Sequence, residues 1–333
     1  MTRTVLRIEA AGPLTTIQDG GRFGHLRHGV TWSGPVESLG FAAVHAALGN
    51  PATAAAIELS HGGIALRCIE GRVGFALAGG DFMAIVDGVA RGGWTTGVLT
   101  AGQRLVIRDG MAGNWATLGL AGVIDCPSWL GSAATLALAG LGGGRLVAGD
   151  TLVIDARDVP DGARNLAQPS RDPGPIRVVL GPQDDFFAAA TVDTLLTAEF
   201  VAAPAFDRMG MVLAGPPLPP LALTMLSSPV IRGAIQVNGA GVATILLADH
   251  QTTAGYPRIA TVISTDLPRA AQTRPGQALR FVAVTAAEAV AIARCGAVAR
   301  AAWLAGLADR GTLFDRLMGT NLVGGVVDAI GDG

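Results

Sequence analysis

The sequence contains no lysine, so all 24 of its basic side chains are arginines. That absence excludes Schiff-base catalysis by lysine and a lysine-bearing phosphate loop. Any cation used in chemistry must be an arginine, a metal or a group brought by a partner. Cysteine is scarce: Cys68, Cys126 and Cys295 lie far apart, with no C-x-x-C spacing. This argues against a disulfide framework or a zinc site, and predicts three reduced, buried thiols in a cytoplasmic protein. Long apolar runs are missing too, although half of the residues are hydrophobic. The run from Val242 to Ala248 stops at Asp249, and Val178 to Leu180 is bounded by Arg177 and Gly181. Both fall far short of the ~20 residues a spanning helix needs. The first nine residues carry charges where a signal peptide needs an apolar core. A soluble protein with no membrane partner is the expectation. Net charge is only -2 and no arginines are adjacent, which argues against nucleic acid as a partner.

What is abundant is glycine, 47 residues, with 18 prolines. Apolar segments are short and set between turn signals, which favours many brief strands over long helices. Gly102-Gln103, Gly149-Asp150 and Gly276-Gln277 each precede a short apolar stretch and read as a turn feeding a strand. Such recurrence fits β-barrel domains. A chain of 333 residues has room for two domains. The polar, proline-rich stretch from Arg157 to Pro175 reads as the linker between a β-rich domain over 1–165 and a β-barrel over 175–284, with a helical tail over 285–333. Two helical signals stand out. One is Leu39 to Leu48. The other opens on Thr285-Ala286-Ala287-Glu288, which has the form of a capping box, and is expected to reach Leu307 with interruptions.

Two loops concentrate chemistry. Gly12 to Gly24 sets Gln18, Asp19 and Arg22 among glycines. Glycine lets a backbone approach a ligand and arginine can grip an anion bidentately, so Arg22 is expected on an exposed, ligand-approaching loop. A polar turn with Asp19 paired to Arg22 accounts for the same residues. Asp249 to Tyr256 gathers a carboxylate, an imidazole, an amide, two hydroxyls and the only tyrosine. Asp249 could orient a neighbour or act as a base, Gln251 could read an amide, and Tyr256 could donate to a developing oxyanion. Alternatively Asp249 ends a buried strand and Tyr256 packs. Gln236 could line a pocket or end a strand. Asp207-Arg208 reads as a structural pair with separate partners. His25 and His28 have metal-compatible spacing but no nearby free carboxylate or cysteine, so no metal is expected there.

These segments also carry a resemblance. Gly12 to Gly24, Gly29 to Pro35, Gly49-Asn50-Pro51 and Glu58 are similar to the opening of the family formed by the C-type subunits of 5-oxoprolinase. That family is also described as allophanate hydrolase subunit 2, the KipI antagonist, or the carboxyltransferase region of urea amidolyase. The likeness continues at Leu180 to Phe186, Asp207-Arg208-Met209-Gly210, Gly233 to Val237, Ala248 to Ala260, Asp266-Leu267 and Gln272 to Gly276. It implies a mainly β protein with two cyclophilin-like β-barrel domains, a few helices and a helical C-terminal segment. It further implies a KipI-like partner, the B-type subunit of 5-oxoprolinase, and, with a third 5-oxoprolinase subunit, ATP-dependent opening of a lactam to glutamate. ATP would be bound largely by a partner subunit. In the urea amidolyase relatives the implied reaction is carboxyl transfer to urea, with biotin supplied by a partner. A non-catalytic regulatory partner of a KipI-like protein is a further alternative. The residues carried over are Asp249, Gln251 and Tyr256 as catalytic, and Gln18, Arg22, Gln236, Thr252 and Arg258 as binding a small amide or lactam substrate. Departures from the family pattern are Glu37 for Asp, Ala133 for Arg, Met211-Val212 for an aromatic and an arginine, Ala254 for Gly and Arg258 for Lys. Loss of the two expected arginines removes anion-binding capacity, which implies a different substrate or a weak activity.

Overall fold

A computed structural model describes residues 2–170 and 172–308. Strands dominate, as expected from short apolar segments between turns. The three predicted turns place Gly102, Gly149 and Gly276 at φ of 91°, 98° and 84°, a region that favours glycine, and each leads into a strand.

The first half contains two antiparallel sheets. One has seven strands in the spatial order Gly122–Asp125, Thr151–Ala156, Thr2–Ala11, Ile64–Glu70, Arg104–Asp109, Phe82–Val86 and Val89–Gly92. The other has five, in the order Thr16–Gln18, Ala56–Leu59, Ala116–Leu120, Arg72–Ala78 and Thr95–Thr100. Both contribute to one core, Leu6, Leu66 and Ile107 from the first and Ile57, Phe75 and Leu118 from the second. Helix α1 (Ser38–Leu48) packs on the strands Arg72–Ala78 and Ala116–Leu120. Glu37 caps it, accepting from the backbone N–H of Leu39 and Gly40 at 2.7 Å each. A Cβ on Gly40 would sit 2.7 Å from a Glu37 carboxylate oxygen and 3.0 Å from the Ala78 carbonyl, so a larger residue there would displace the cap.

Residues 157–175 connect the last strand of the first half to the third sheet. Part of this connection is pinned: Leu166 N–H donates to Trp94 O at 2.6 Å, and Val159 and Leu166 are buried. The third sheet has eight strands: Ala278–Leu279, Phe200–Phe206, Gly210–Ala214, Ala243–Leu246, Ala234–Val237, Arg258–Val262, Ile176–Leu180 and Phe281–Ala283. Its two edges are separated in sequence by Arg280 alone, so the chain steps from one edge to the other and the sheet nearly closes into a barrel. Helices α2 (Ala189–Thr197) and α3 (Leu267–Ala271) flank it.

The last described element is α4 (Ala286–Ala308). Its capping box forms as predicted, with Glu288 N–H donating to Thr285 Oγ1 at 3.2 Å and Thr285 N–H to Glu288 Oε2 at 2.8 Å. The helix is unbroken, contrary to the expected interruptions, because alanines carry it through Gly296 and Gly306. The remainder of the predicted tail lies outside the described residues. Scattered charges at Glu288, Arg294 and Arg300 hid the apolar character of α4 from a search for continuous runs. Among the described residues it is the one helix long and apolar enough to cross a membrane by length and composition. Its C-terminal end packs on the fold through Trp303, Leu304 and Leu307, and Trp303 Nε1 donates to Ala167 O at 2.9 Å. The thiols also depart from expectation. All three are free, but only Cys68 is buried; Cys126 is half-buried and Cys295 is exposed on α4.

Candidate functional site

A cleft of about 460 Å³ opens on the third sheet. Strand alternation builds it. Met211, Leu213, Ile235, Val237 and Ile245 point into the core, so Val212, Gln236 and Thr244 face the other way, into the cleft. Gly210 belongs to the same wall, where a Cβ would lie 2.8 Å from Thr244 Cγ2. Gln251 and Tyr256 reach the cleft from the loop that follows strand Ala243–Leu246. Gln251 Nε2 donates to Gln236 Oε1 at 2.9 Å. Tyr256 is 47% exposed, so it does not serve as a core packing residue. Among the described residues the only charged side chain in the lining is Asp207, whose Oδ1 accepts from the N–H groups of Met209 and Gly210 at 2.7 and 3.1 Å. Val212 lies in this wall at the position where the resemblance leads one to expect an arginine, so the departure removes a cation from the cleft itself.

Behind the cleft, Arg208 organises a buried charge network. Its Nε and Nη2 donate to Asp249 at 2.8 and 3.0 Å, Nη2 also donates to Gly34 O at 2.7 Å, and Nη1 donates to Glu58 Oε1. Val36 N–H donates to Glu58 Oε2 at 2.6 Å, and Arg232 Nη2 donates to Val36 O. Burial works against the charge on Arg208, but Glu58 and Asp249 outweigh it and hold Arg208 above the usual arginine range. Burial pushes Glu58 up, against the pull of Arg208 and Val36 N–H. Desolvation lowers the half-buried Arg232 to about 10. With two donors on its two oxygens Glu58 is an acceptor, and the four side chains balance as two anions and two cations. Asp249 N–H also donates to Arg208 O at 2.8 Å, so the network fixes the start of the loop that carries Gln251. Asp207 and Arg208 have separate partners, as the sequence suggested. Asp249 does not line the cleft; its carboxylate accepts from Arg208. Neighbouring His250 is buried, its Nδ1 is 2.6 Å from Gln251 O, and burial lowers its pKa.

Arg22 of the glycine-rich loop is not exposed as expected. Arg22 is 1% exposed. Its Nε donates to Trp129 O at 3.0 Å, Nη2 to Ala134 O at 2.7 Å, and its guanidinium lies 5.1 Å from the Trp129 ring centroid. Asp19 does not pair with it. That carboxylate accepts from Ser132 Oγ at 2.6 Å and Ala133 N–H at 2.7 Å. Gln18 is buried and donates to Thr16 Oγ1 and Thr135 O at 2.9 and 3.2 Å. Together these side chains clamp the 129–135 loop, and neither Gln18 nor Arg22 lines the cleft. Arg258 is likewise committed, donating to Gln183 Oε1 at 2.7 Å, Ser228 Oγ at 2.8 Å and Pro229 O. Thr252 offers its carbonyl to Val230 N–H at 3.1 Å.

Of the eight residues singled out from sequence, the cleft lining contains Gln236, Gln251 and Tyr256. Sequence reasoning assigned no role to Glu58 or Arg232. A charge inside the otherwise apolar strand Ala56–Leu59 is the signal that could have found Glu58. Among the described residues no group of three or more His, Cys, Asp or Glu side chains gathers as a metal site.

Comparison with known proteins returns one family. The model described as carboxyltransferase domain, subdomain A and B, matches residues 28–283. The chain is 34% identical to the C-type subunit of 5-oxoprolinase from Escherichia coli (strain K12), over 86% of this chain and 93% of that protein. The crystal structure of TTHA0988 is 30% identical with a TM-score of 0.75, covering 84% of this chain and 56% of that one, so this chain spans about half of it. The K. lactis urea amidolyase structure has the same fold, with a TM-score of 0.81 at 22% identity, over 92% of this chain and 20% of that one.

Proposed function

The chain belongs to the carboxyltransferase family with subdomains A and B, and we propose that it acts there as the C-type subunit of an ATP-dependent 5-oxoprolinase complex that opens a lactam to glutamate. The observation that carries this reading is the likeness to the Escherichia coli 5-oxoprolinase subunit of the same type, along 93% of that protein. In this proposal one partner is a KipI-like protein, the complex is completed by a third subunit, the chain alone is inactive, and the assembly is cytoplasmic. The division of the chain at residues 157–175 into two domains belongs to the same proposal.

The cleft supports the amide edge of the ligand, with any carboxylate of the ligand lying outside it. It offers amide and phenol groups between apolar walls, with no cationic side chain in its lining among the described residues. A triphosphate does not fit such a lining. In this proposal ATP, which supplies the free energy for opening a stable ring, is bound largely by a partner subunit and not in this cleft. Within the cleft Tyr256 and Gln236 would donate to the lactam oxygen as charge develops on it, Gln251 would hold the amide, and Asp249 would keep the loop in place through Arg208. Gln18, Arg22, Thr252 and Arg258 support the surrounding loops in this reading and do not touch the substrate. The same lining also fits urea or the ureido ring of biotin, which keeps carboxyl transfer as the second reading.

The test is reconstitution of the chain with its partners, assaying glutamate release from 5-oxoproline with ATP and, separately, carboxylation of urea by a biotin-carrying partner. Turnover of 5-oxoproline by the complex and none by the chain alone is the expected result. Urea carboxylation without 5-oxoproline turnover would replace this reading by the second. Turnover indifferent to changes at Gln236, Gln251 and Tyr256 would make the chain a regulatory partner.

A further inference from the structure

We infer that Gln236 and Gln251 together form a reader for a cis-amide edge, an N–H and a C=O side by side as in a lactam, a urea or a ureido ring. This rests on the reading above for where the site lies, but not for which reaction occurs there. Gln236 is held by a strand whose neighbouring side chains, Ile235 and Val237, are fully buried. Gln251 is held by the loop anchored through Asp249 and Arg208. The bond from Gln251 Nε2 to Gln236 Oε1, at 2.9 Å, sets the orientation of both amides. A closed amide dimer would add the reciprocal bond, Gln236 Nε2 to Gln251 Oε1, and that bond is not made. The pair is therefore open: Gln236 Nε2 retains its donors and Gln251 Oε1 its acceptor, on two side chains that line one cleft. A cis-amide completes the pair, its N–H donating to Gln251 Oε1 and its C=O accepting from Gln236 Nε2. A trans amide presents these groups on opposite sides and can satisfy only one.

The surroundings agree with an uncharged ligand. Asn238 Oδ1 accepts from the N–H groups of Ala240 and Val242 at 3.0 Å each, which leaves Nδ2 as the group Asn238 can offer the cleft. The Tyr256 hydroxyl is a further donor. Among the described residues Asp207 lines the cleft and no arginine does, so a carboxylate carried by the ligand points outwards, to solvent or to a partner subunit. A lactam, urea and a ureido ring share the same edge, and binding strength sorts them.

The experiment uses the full chain with ¹⁵N-labelled glutamine side chains, assigned with Gln236→Glu and Gln251→Glu. The probes are 2-pyrrolidinone, urea and 2-imidazolidinone; the controls are N-methyl-2-pyrrolidinone, γ-butyrolactone and N-methylacetamide. Saturable shifts of both side-chain amides are expected with at least one probe. Each control should bind roughly tenfold more weakly or worse, because it leaves a donor or an acceptor unpaired. Gln236→Glu should abolish binding by putting an acceptor where a donor is needed. Gln251→Ala, on the loop, should abolish it without touching the sheet. Equal binding of 2-pyrrolidinone and its N-methyl form, full binding by either variant, or no shift with any probe would overturn the inference. If the probes bind as described but the complex does not turn over 5-oxoproline, the reader stands and the reaction assignment falls.

Discussion

Replacing Arg208 by methionine should unfold the protein more readily than any surface change, because it strands two buried carboxylates. The side chains of Arg208, Glu58 and Asp249 are 4%, 2% and 5% exposed. Once Arg208 is gone, Arg232 is the nearest remaining cation of the network. Removing one partner of a buried ion pair typically costs about 3–5 kcal/mol, since the other charge is left uncompensated. Arg208 serves two carboxylates and the Gly34 carbonyl, which places the expected loss at the upper end of that range. At roughly 2–4 °C per kcal/mol, the scale for chains of 150–250 residues, the melting temperature should fall by roughly 10 °C or more. The assay is thermal and guanidinium unfolding at neutral pH, repeated at raised salt, where a buried network is screened little and the loss should persist. Combining Arg208→Met with Glu58→Gln and Asp249→Asn should recover part of the loss, because it neutralises the two carboxylates that the single variant strands. A loss below about 1 kcal/mol in the single variant, the size of an exposed pair, would refute the argument. So would a triple variant as unstable as the single one.

Three further outcomes are expected. Arg22→Ala should lower stability by at least about 2 kcal/mol, since it leaves buried carbonyls in the 129–135 loop without a donor; normal melting with lost turnover would restore the ligand-binding reading. His45, buried on α1, has its pKa lowered to about 4 by burial, with a backbone hydrogen bond opposing. Its folded pKa lies below the unfolded value of about 6.5, so its contribution is fully present above that pH and is lost as pH falls towards 4. A loss of order 3 kcal/mol over that window, absent in His45→Leu, is the expected result, and an unchanged slope in the variant would remove His45 from the account. Tyr256→Phe should leave melting unchanged and reduce turnover of the reconstituted complex roughly a hundredfold, the scale of one lost oxyanion donor. Full turnover would take the phenol out of the chemistry.

What could be read from the sequence is what a few adjacent residues decide. Glycines needed at positive φ announced the turns before Arg104–Asp109, Thr151–Ala156 and Ala278–Leu279. Helix α1 and the Thr285–Glu288 capping box were legible for the same reason: their hydrogen bonds close within a few residues. The ordered motifs pointed to the family. The partners of the polar side chains were not legible, because nothing in local spacing says which distant atom a buried donor will meet. Arg22 stood in a loop that read as exposed, yet it packs against residues more than 100 positions away, at Trp129 and Ala134. Arg208 joins Asp249 and Glu58 across 41 and 150 residues. The pairing of Ala234–Val237 with Ala243–Leu246, and the fold of the loop that follows, brought Gln251 to Gln236 over one cleft, while Gln18, Arg22 and Arg258 found their partners elsewhere in the scaffold. A buried polar side chain must find a partner wherever the fold places one, and that choice belongs to the tertiary structure.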